Sequence, residues 1–171
     1  MLRKSILALS IGLAAVGAHA QQMYVGASVG QVNHDDGGGI DVDDTTGFSL
    51  LAGYQVSTNF AIEAAYVDFG SADVEGGGLT GEVEADTFSL SARLIAPLSE
   101  QASVYARLGM HKWDGEVTVH GFGSASDDGS DMLFGAGFSF SAAHNIELGL
   151  EFTKYDDVEI DTISAGARLS F

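Results

Sequence analysis

"TFSLSARLIAPLSEQASVYARLGM" covers residues 87–110. In its first half Phe88, Leu90, Ala92 and Leu94 alternate with Ser89, Ser91 and Arg93. In its second half Val104, Ala106, Leu108 and Met110 alternate with Ser103, Tyr105, Arg107 and Gly109. A period of two means a strand with two unlike faces. The connection from Pro97 to Ala102 is tight and holds the chain's single proline. The stretch therefore reads as two antiparallel strands joined by a short turn.

The same alternation recurs on both sides of it. "MYVGASVGQV" (23–32), "GFSLLAGYQV" (47–56) and "FAIEAAY" (60–66) precede it. "MLFGAGFSF" (132–140), "IELGLEF" (146–152) and "ISAGARLSF" (163–171) follow. Together these make eight strands of about nine to eleven residues, the length that spans a bilayer when tilted. The connectors alternate too. Residues 33–46, 70–85 and 114–130 form long, Gly-rich acidic loops, and 155–160 a shorter acidic one. Residues 57–59, 97–102 and 141–145 are tight turns. Long loops at one end and short turns at the other are the pattern of an outer-membrane barrel.

A soluble β-sandwich also alternates, so the polar faces decide. A soluble sheet shows Lys, Thr, Glu and Arg to water. Here the non-apolar faces are mostly Gly, Ser and Ala. Small residues suit a crowded lumen, and eight strands enclose just enough space for their own side chains. The apolar faces carry aromatics near the strand ends. Tyr54, Phe60, Phe138, Phe140 and Phe171 lie toward the short turns, and Phe48, Tyr66, Phe88, Phe134 and Phe152 toward the long loops. Two aromatic belts flanking Leu, Ala, Val and Ile match a lipid-facing band. The expected fold is all-β: an eight-stranded, antiparallel, up-and-down transmembrane barrel.

The N-terminus reads as a secretory leader over residues 1–20. Arg3 and Lys4 precede an apolar run from Ile6 to Val16, and Ala18-His19-Ala20 supplies the small-residue cleavage pattern. The run is too short to cross the hydrocarbon core. The expected mature chain is 21–171, a single domain. It lacks cysteine, so no disulfide supports it. The leader holds two of the seven basic residues and no acid, leaving five basic against 24 acidic residues. Nucleic acid needs a basic footprint and is excluded as a partner.

Twenty of the 24 acids fall in or beside the four long-side connectors. "DDGGGIDVDD" (35–44) and "SDDGSD" (126–131) offer hard oxygen ligands, but neither has EF-hand spacing. No metal site and no cofactor are expected. The acids read as solvated, self-repelling loops. The alternative is diffuse binding of divalent cations at Asp35, Asp36, Asp41, Asp43, Asp44, Asp127, Asp128 and Asp131, bridging the loops to anionic lipopolysaccharide.

The basic residues are more informative. By parity Arg93, Arg107 and Arg168 point inward, as do Glu63, Glu147 and Glu151. Isolated charges in a narrow lumen would cost several kcal/mol each, so pairing is expected. The reading is a polar core that plugs the barrel; the rival is a narrow gated pore. Lys112 and Lys154 point outward near the long-loop end, where they can snorkel to headgroups. No nucleophile, base and acid share a catalytic spacing. Only His111, near a strand end, would serve a lipid-modifying or proteolytic barrel enzyme.

"GYQVSTNFAIEAAYVDFG" (53–70) resembles the second and third strands of the OmpA transmembrane domain. "LSARLIAPLSEQASVYARLGMHKW" (90–113) resembles its fourth and fifth, and "MYVGASVG" (23–30) its first. The chain is similar to small OmpA-like and OmpX-like outer-membrane barrels. The resemblance implies a Gram-negative outer-membrane location with both termini in the periplasm. It implies an interior acid at Glu63 and interior bases at Arg93 and Arg107. Ser139 and Gly149 stand where that family has further interior charges, so Glu147, Glu151 and Arg168 complete a different network. The sequence stops at the barrel, and tethering through a peptidoglycan-binding domain is not expected.

The expected function is a non-enzymatic, monomeric surface protein of the envelope. Its partners are membrane lipid, lipopolysaccharide and, during biogenesis, periplasmic chaperones and the barrel assembly machinery. The last strand carries the address for that machinery: Ser164, Gly166, Leu169 and Phe171 form a polar-x-Gly-x-x-apolar-x-apolar pattern. Phe171 doubles as an interfacial anchor.

Overall fold

The computed structural model describes residues 23–34, 41–42, 45–76, 79–119, 123–156 and 160–171. The expected leader and Asp35, Asp36, Asp43 and Asp44 lie outside these residues. The described chain forms nine strands: β1 (Met23–His34), β2 (Asp41–Val42), β3 (Thr45–Ser57), β4 (Phe60–Gly76), β5 (Leu79–Pro97), β6 (Ala102–Val119), β7 (Gly123–Ala143), β8 (Ile146–Tyr155) and β9 (Ile160–Ser170). The long strands pair antiparallel in sequence order, and β9 returns to β1 from Tyr24↔Ser170 to His34↔Ile160. β2 is no stave of its own. Asp41 and Val42 pair with Glu75 and Val74 and continue the β3 side of the β4 ladder. The result is a closed, eight-stranded antiparallel barrel.

The alternation resolves as outside against inside. Leu90, Leu94, Met110 and Leu150 are each more than half exposed, while Ser89, Ser91, Arg93 and Arg107 between them are buried. That arrangement is inverted relative to a protein in water, where such an apolar girdle would be driven together. In lipid it matches the surrounding solvent, and closure leaves no unpaired strand edge in the hydrocarbon.

One rim is tight. Thr58–Asn59 and His144–Asn145 are two-residue turns. Between β5 and β6, the Leu98 and Ser99 N–H groups both donate to the Ala102 carbonyl, at 2.8 and 3.0 Å. The Phe171 N–H donates to the Met23 carbonyl at 3.0 Å, placing the two ends of the described chain at this same rim.

The other rim departs from expectation. β4, β5, β6 and β7 run for 17, 19, 18 and 21 residues rather than the nine to eleven the alternation suggested. Most of 70–85 and 114–130, expected as loops, is paired strand. Their acids hide a period of two: in Glu84-Ala85-Asp86 the carboxylates simply occupy the outward positions. Once a hairpin is zipped through the membrane, each further ladder pair closes no new loop and propagates readily. The four strands therefore stand above the barrel as a sheet.

A bulge sets the face of that extension. The β4–β5 register shifts between Asp68↔Asp86 and Ser71↔Glu84, with Gly70 at φ +79°. Its N–H is met by Asp68 Oδ1 at 2.8 Å, and Thr45 Oγ1 donates to the Phe69 carbonyl at 2.6 Å. Phe69 keeps the inward parity of Glu63, Ala65 and Val67, and the extra residue returns Ser71 to the outer face beside Glu84. A side chain at Gly70 would both enter the left-handed region and approach the Thr46 carbonyl to 2.9 Å. Gly70→Ala should lower the unfolding free energy by about 1–2 kcal/mol, measured by urea titration in lipid vesicles with gel mobility as the readout.

Candidate functional site

The lumen is built in layers, because each inward position on a strand has a neighbour at the same height on the next. The layer toward the tight rim holds Glu63 on β4, Arg93 on β5, Tyr105 and Arg107 on β6, Glu147 and Glu151 on β8, Arg168 on β9 and Tyr24 on β1. Glu63 is fully buried and sits among three guanidinium groups, with Arg168 Nε at 3.5 Å, Arg107 Nη1 at 3.7 Å and Arg93 Nη1 at 3.9 Å. The Tyr24 hydroxyl donates to its Oε1 at 2.7 Å. Arg93 also reaches Glu147 at 2.8 Å, and Arg107 reaches Glu151 at 3.1 Å. Arg168 bridges all three acids, contacting Glu147 at 3.2 Å and Glu151 at 3.5 Å.

Three cations and three anions leave this layer neutral, which is the condition for burying them. Hydrogen bonds take up part of the remaining capacity, while Glu63 Oε2 and the Nε atoms of Arg93, Arg107 and Arg168 find no hydrogen-bond partner. Tyr105 and Thr153 each donate to Glu151 at 2.8 Å. The Arg93 guanidinium stacks 3.9 Å from the centre of the Tyr105 ring. Glycines make room for the two tyrosines. A Cβ at Gly53 would collide with the Tyr24 ring, and one at Gly137 with Tyr105.

Above the charges lies a cavity of about 50 Å³ beside Arg107, Glu151 and Arg168, walled by Ser49, Gly30 and Ser164. A water needs about 10–15 Å³ of such space, so the cavity has room for several. Higher still, Val32, Val67, Phe69, Leu133, Tyr155 and Ile160 form a buried apolar septum. Phe69 and Tyr155 meet edge to face with centroids 5.0 Å apart. His111 abuts this septum. Its ring lies edge-on to Tyr155 at 5.1 Å, and its Nδ1 is 3.1 Å from Thr87 Oγ1.

The outer face of the extension has its own order. Asp68 on β4 stands opposite Asp86 on β5, Asp86 opposite Asp114 on β6, and Asp114 opposite Asp128 on β7. Like charges paired across strands repel. Lys112 Nζ, 3.6 Å from Asp128, relieves one end of the row. Burial, then the Asp114 and Asp68 charges, push the Asp86 carboxyl above the usual aspartate range.

The six charged residues expected inside thus fall in one layer and contact one another. The expected assembly residues lie along β9 and just beyond it. Ser164 is paired with Gly30 and Gly166 with Ser28, while Leu169 and Phe171 are exposed on the outer face. The acids expected to meet cations are scattered. Asp41 pairs with Glu75 across β2 and β4, and Asp127, Asp128 and Asp131 follow one another along β7. Among the described residues no three His, Cys, Asp or Glu are disposed to hold a metal ion. His111, the expected anchor of a barrel enzyme, is buried in the lumen. The septum was missed in the sequence. Its signal was apolar residues on both faces at once, as in Met132-Leu133-Phe134 and Tyr66-Val67.

A family model described as an outer membrane protein beta-barrel domain matches residues 5–171. The chain belongs to that family. Outer membrane protein A of Escherichia coli O157:H7 is 26% identical over 162 residues, covering 88% of this chain and 47% of that protein. The chain spans about half the length of the curated relatives it matches. Among solved structures, the attachment invasion locus protein Ail of Yersinia pestis superimposes with a TM-score of 0.59 at 22% identity, covering 88% of this chain and 97% of that one. The N-terminal barrel of Pseudomonas aeruginosa OprF gives a TM-score of 0.65 at 11% identity, with 88% and 98% covered. At these identities the structural likeness is one of fold. These outer-membrane relatives place this barrel in the Gram-negative outer membrane.

Two outcomes follow from the geometry. Glu63→Ala removes the acid shared by three arginines and should cost about 3–5 kcal/mol of stability, read from urea unfolding in vesicles. Asp86 has a raised folded-state pKa, so its contribution favours the folded extension at low pH and is lost as pH rises through that pKa. Hydrogen-exchange protection around Glu84–Asp86 and Asp114–Glu116, corrected for intrinsic rates, should therefore rise on acidification. Asp86→Asn should give the higher protection already at neutral pH.

Proposed function

We propose that the protein is a non-enzymatic envelope protein whose barrel is a closed anchor for the acidic sheet above it. The observation that carries this reading is the neutral layer of three arginines and three glutamates across the lumen. The apolar septum supports it, since an ion crossing the barrel would meet a charged layer and then an apolar one. The burial of His111 speaks against an enzyme open to lipid or peptide from outside.

On this reading the tight rim and both termini face the periplasm. The long-strand rim faces outward among lipopolysaccharide, as in the general plan of such barrels. The protein acts as a monomer, delivered by periplasmic chaperones and inserted by the barrel assembly machinery, with Ser164, Gly166, Leu169 and Phe171 as the address. The outward carboxylates fit cations, including divalent ions shared diffusely with lipopolysaccharide. They oppose polyanions. Ail has been solved in complex with the heparin analogue sucrose octasulfate, with a TM-score of 0.57 to this chain at 19% identity. A sulfated ligand of that kind would be repelled by the Asp68–Asp128 row.

The rival reading is a narrow pore, favoured by the polar cavity beside the charge layer. Planar bilayers separate the two. The purified barrel, checked for folding by heat-modifiable gel mobility, should add no discrete conductance steps. Steps that change on Arg93→Ala would establish the pore instead.

A further inference from the structure

Closure removes strand edges in the membrane, but among the described residues β7 presents one in the extension. β7 pairs with β6 along its whole upper length, to Val119↔Gly123. Its pairing with β8 begins only at Leu133↔Tyr155, with the Asp156 N–H donating to the Met132 carbonyl at 3.2 Å just above. Above Met132, the side of β7 away from β6 has no strand partner among the described residues. In a strand, the N–H and C=O of one residue point the same way, and alternate residues share a side. Since Met132 points toward β8, so do Ser124, Ser126, Asp128 and Ser130. This is a water-exposed edge of the kind that templates pairing with another chain.

Two of the edge N–H groups are already taken. Asp127 Oδ1 accepts from the Asp128 N–H at 3.0 Å, and Asp131 Oδ1 accepts from the Met132 N–H at 2.6 Å. Each carboxylate folds back on the next residue's amide. The two capped positions lie four residues apart, so an incoming strand could not form an unbroken ladder without displacing them. The other acids nearby do something else: Asp128 pairs with Lys112, and Asp114 and Glu116 stand on the outer face of β6.

We propose that the upper edge of β7 is a strand-pairing surface held shut by Asp127 and Asp131, and that the partner it is shut against is a second copy of this chain. Two copies of the edge can meet antiparallel about a two-fold axis, so each device acts twice. The device assigned here is the capping of the two amides rather than charge repulsion, and the two are separable. Asparagine keeps an oxygen that caps the amide and loses the charge; alanine loses both.

The test is sedimentation equilibrium of the full folded chain in detergent micelles at neutral pH, in low and high salt. The variants are D127A/D131A and D127N/D131N, with E84A/E116A removing the same charge away from the edge. Heat-modifiable mobility confirms that each is folded. The alanine pair should associate roughly tenfold or more tightly than wild type, as expected for a few freed hydrogen bonds. The asparagine pair and E84A/E116A should match wild type. An alanine pair no more associated than wild type overturns the proposal, as does an asparagine pair that associates equally well. The inference builds on the monomer reading above but fails separately. A wild type that dimerises refutes that reading, while the ratio of variant to wild-type association still decides the role of the two aspartates.

Discussion

The constraint on which this structure depends is the β1–β9 seam. A sheet in hydrocarbon must satisfy every backbone group within itself. The eleven register pairs from Tyr24↔Ser170 to His34↔Ile160 do this by joining the first stave to the last. Closure at eight strands then fixes the radius. A lumen of that width admits side chains but no second layer of them. Every inward residue must therefore fit against its neighbours: Gly53 and Gly137, the cross-strand partners of Tyr24 and Tyr105, leave room for the two rings. Composition of the inner face follows from geometry rather than from polarity alone.

Within that radius, charge neutrality is the next requirement. Glu63 is completely buried, and a charge so buried needs close compensating partners. It takes three, and two of these arginines are held in turn by Glu147 and all but Arg93 by Glu151. Arg168 touches every acid of the layer, so the seam strand β9 also locks the lumen. Backbone closure and side-chain closure thus depend on the same strand. The polar layer lies toward the tight rim and the apolar septum toward the long strands, with the cavity lined by Leu51, Thr153, Thr162 and small residues between them.

Much of this was legible in the sequence, and the failures have physical causes. The parity of Ser89, Ser91 and Arg93 against Phe88, Leu90 and Leu94 gave the fold and the inward charges without any coordinates. Contacts such as Arg168 with Glu63 depend on the height at which β9 meets the opposite wall, which alternation does not encode. The septum escaped because Leu133 and Val67 look like breaks in a two-faced pattern; they are apolar on the inner face where the lumen needs a dry layer. The extension is hidden because acid-rich, Gly-rich composition reads as loop. Glu84-Ala85-Asp86 has the alternation of a strand whose outer face meets water instead of lipid.

That change of solvent at the upper rim explains why the same strands obey two rules. Below Phe88 and Phe134 the outward positions are apolar and edges are abolished by closure. Above them the outward positions are polar and rich in acids, and among the described residues only β4 to β7, with the short β2, continue the sheet beyond Tyr155 and His34. Carboxylates suit both tasks there. In the row from Asp68 to Asp128 they keep the outer face hydrated at the expense of mutual repulsion. At Asp127 and Asp131 they turn back onto the backbone, where an aliphatic side chain would leave an edge N–H free. The acidity of this chain is therefore not one feature. Its carboxylates neutralise arginines in the lumen, hydrate the outer face above the lipid band and, at Asp127 and Asp131, accept from edge amides of β7.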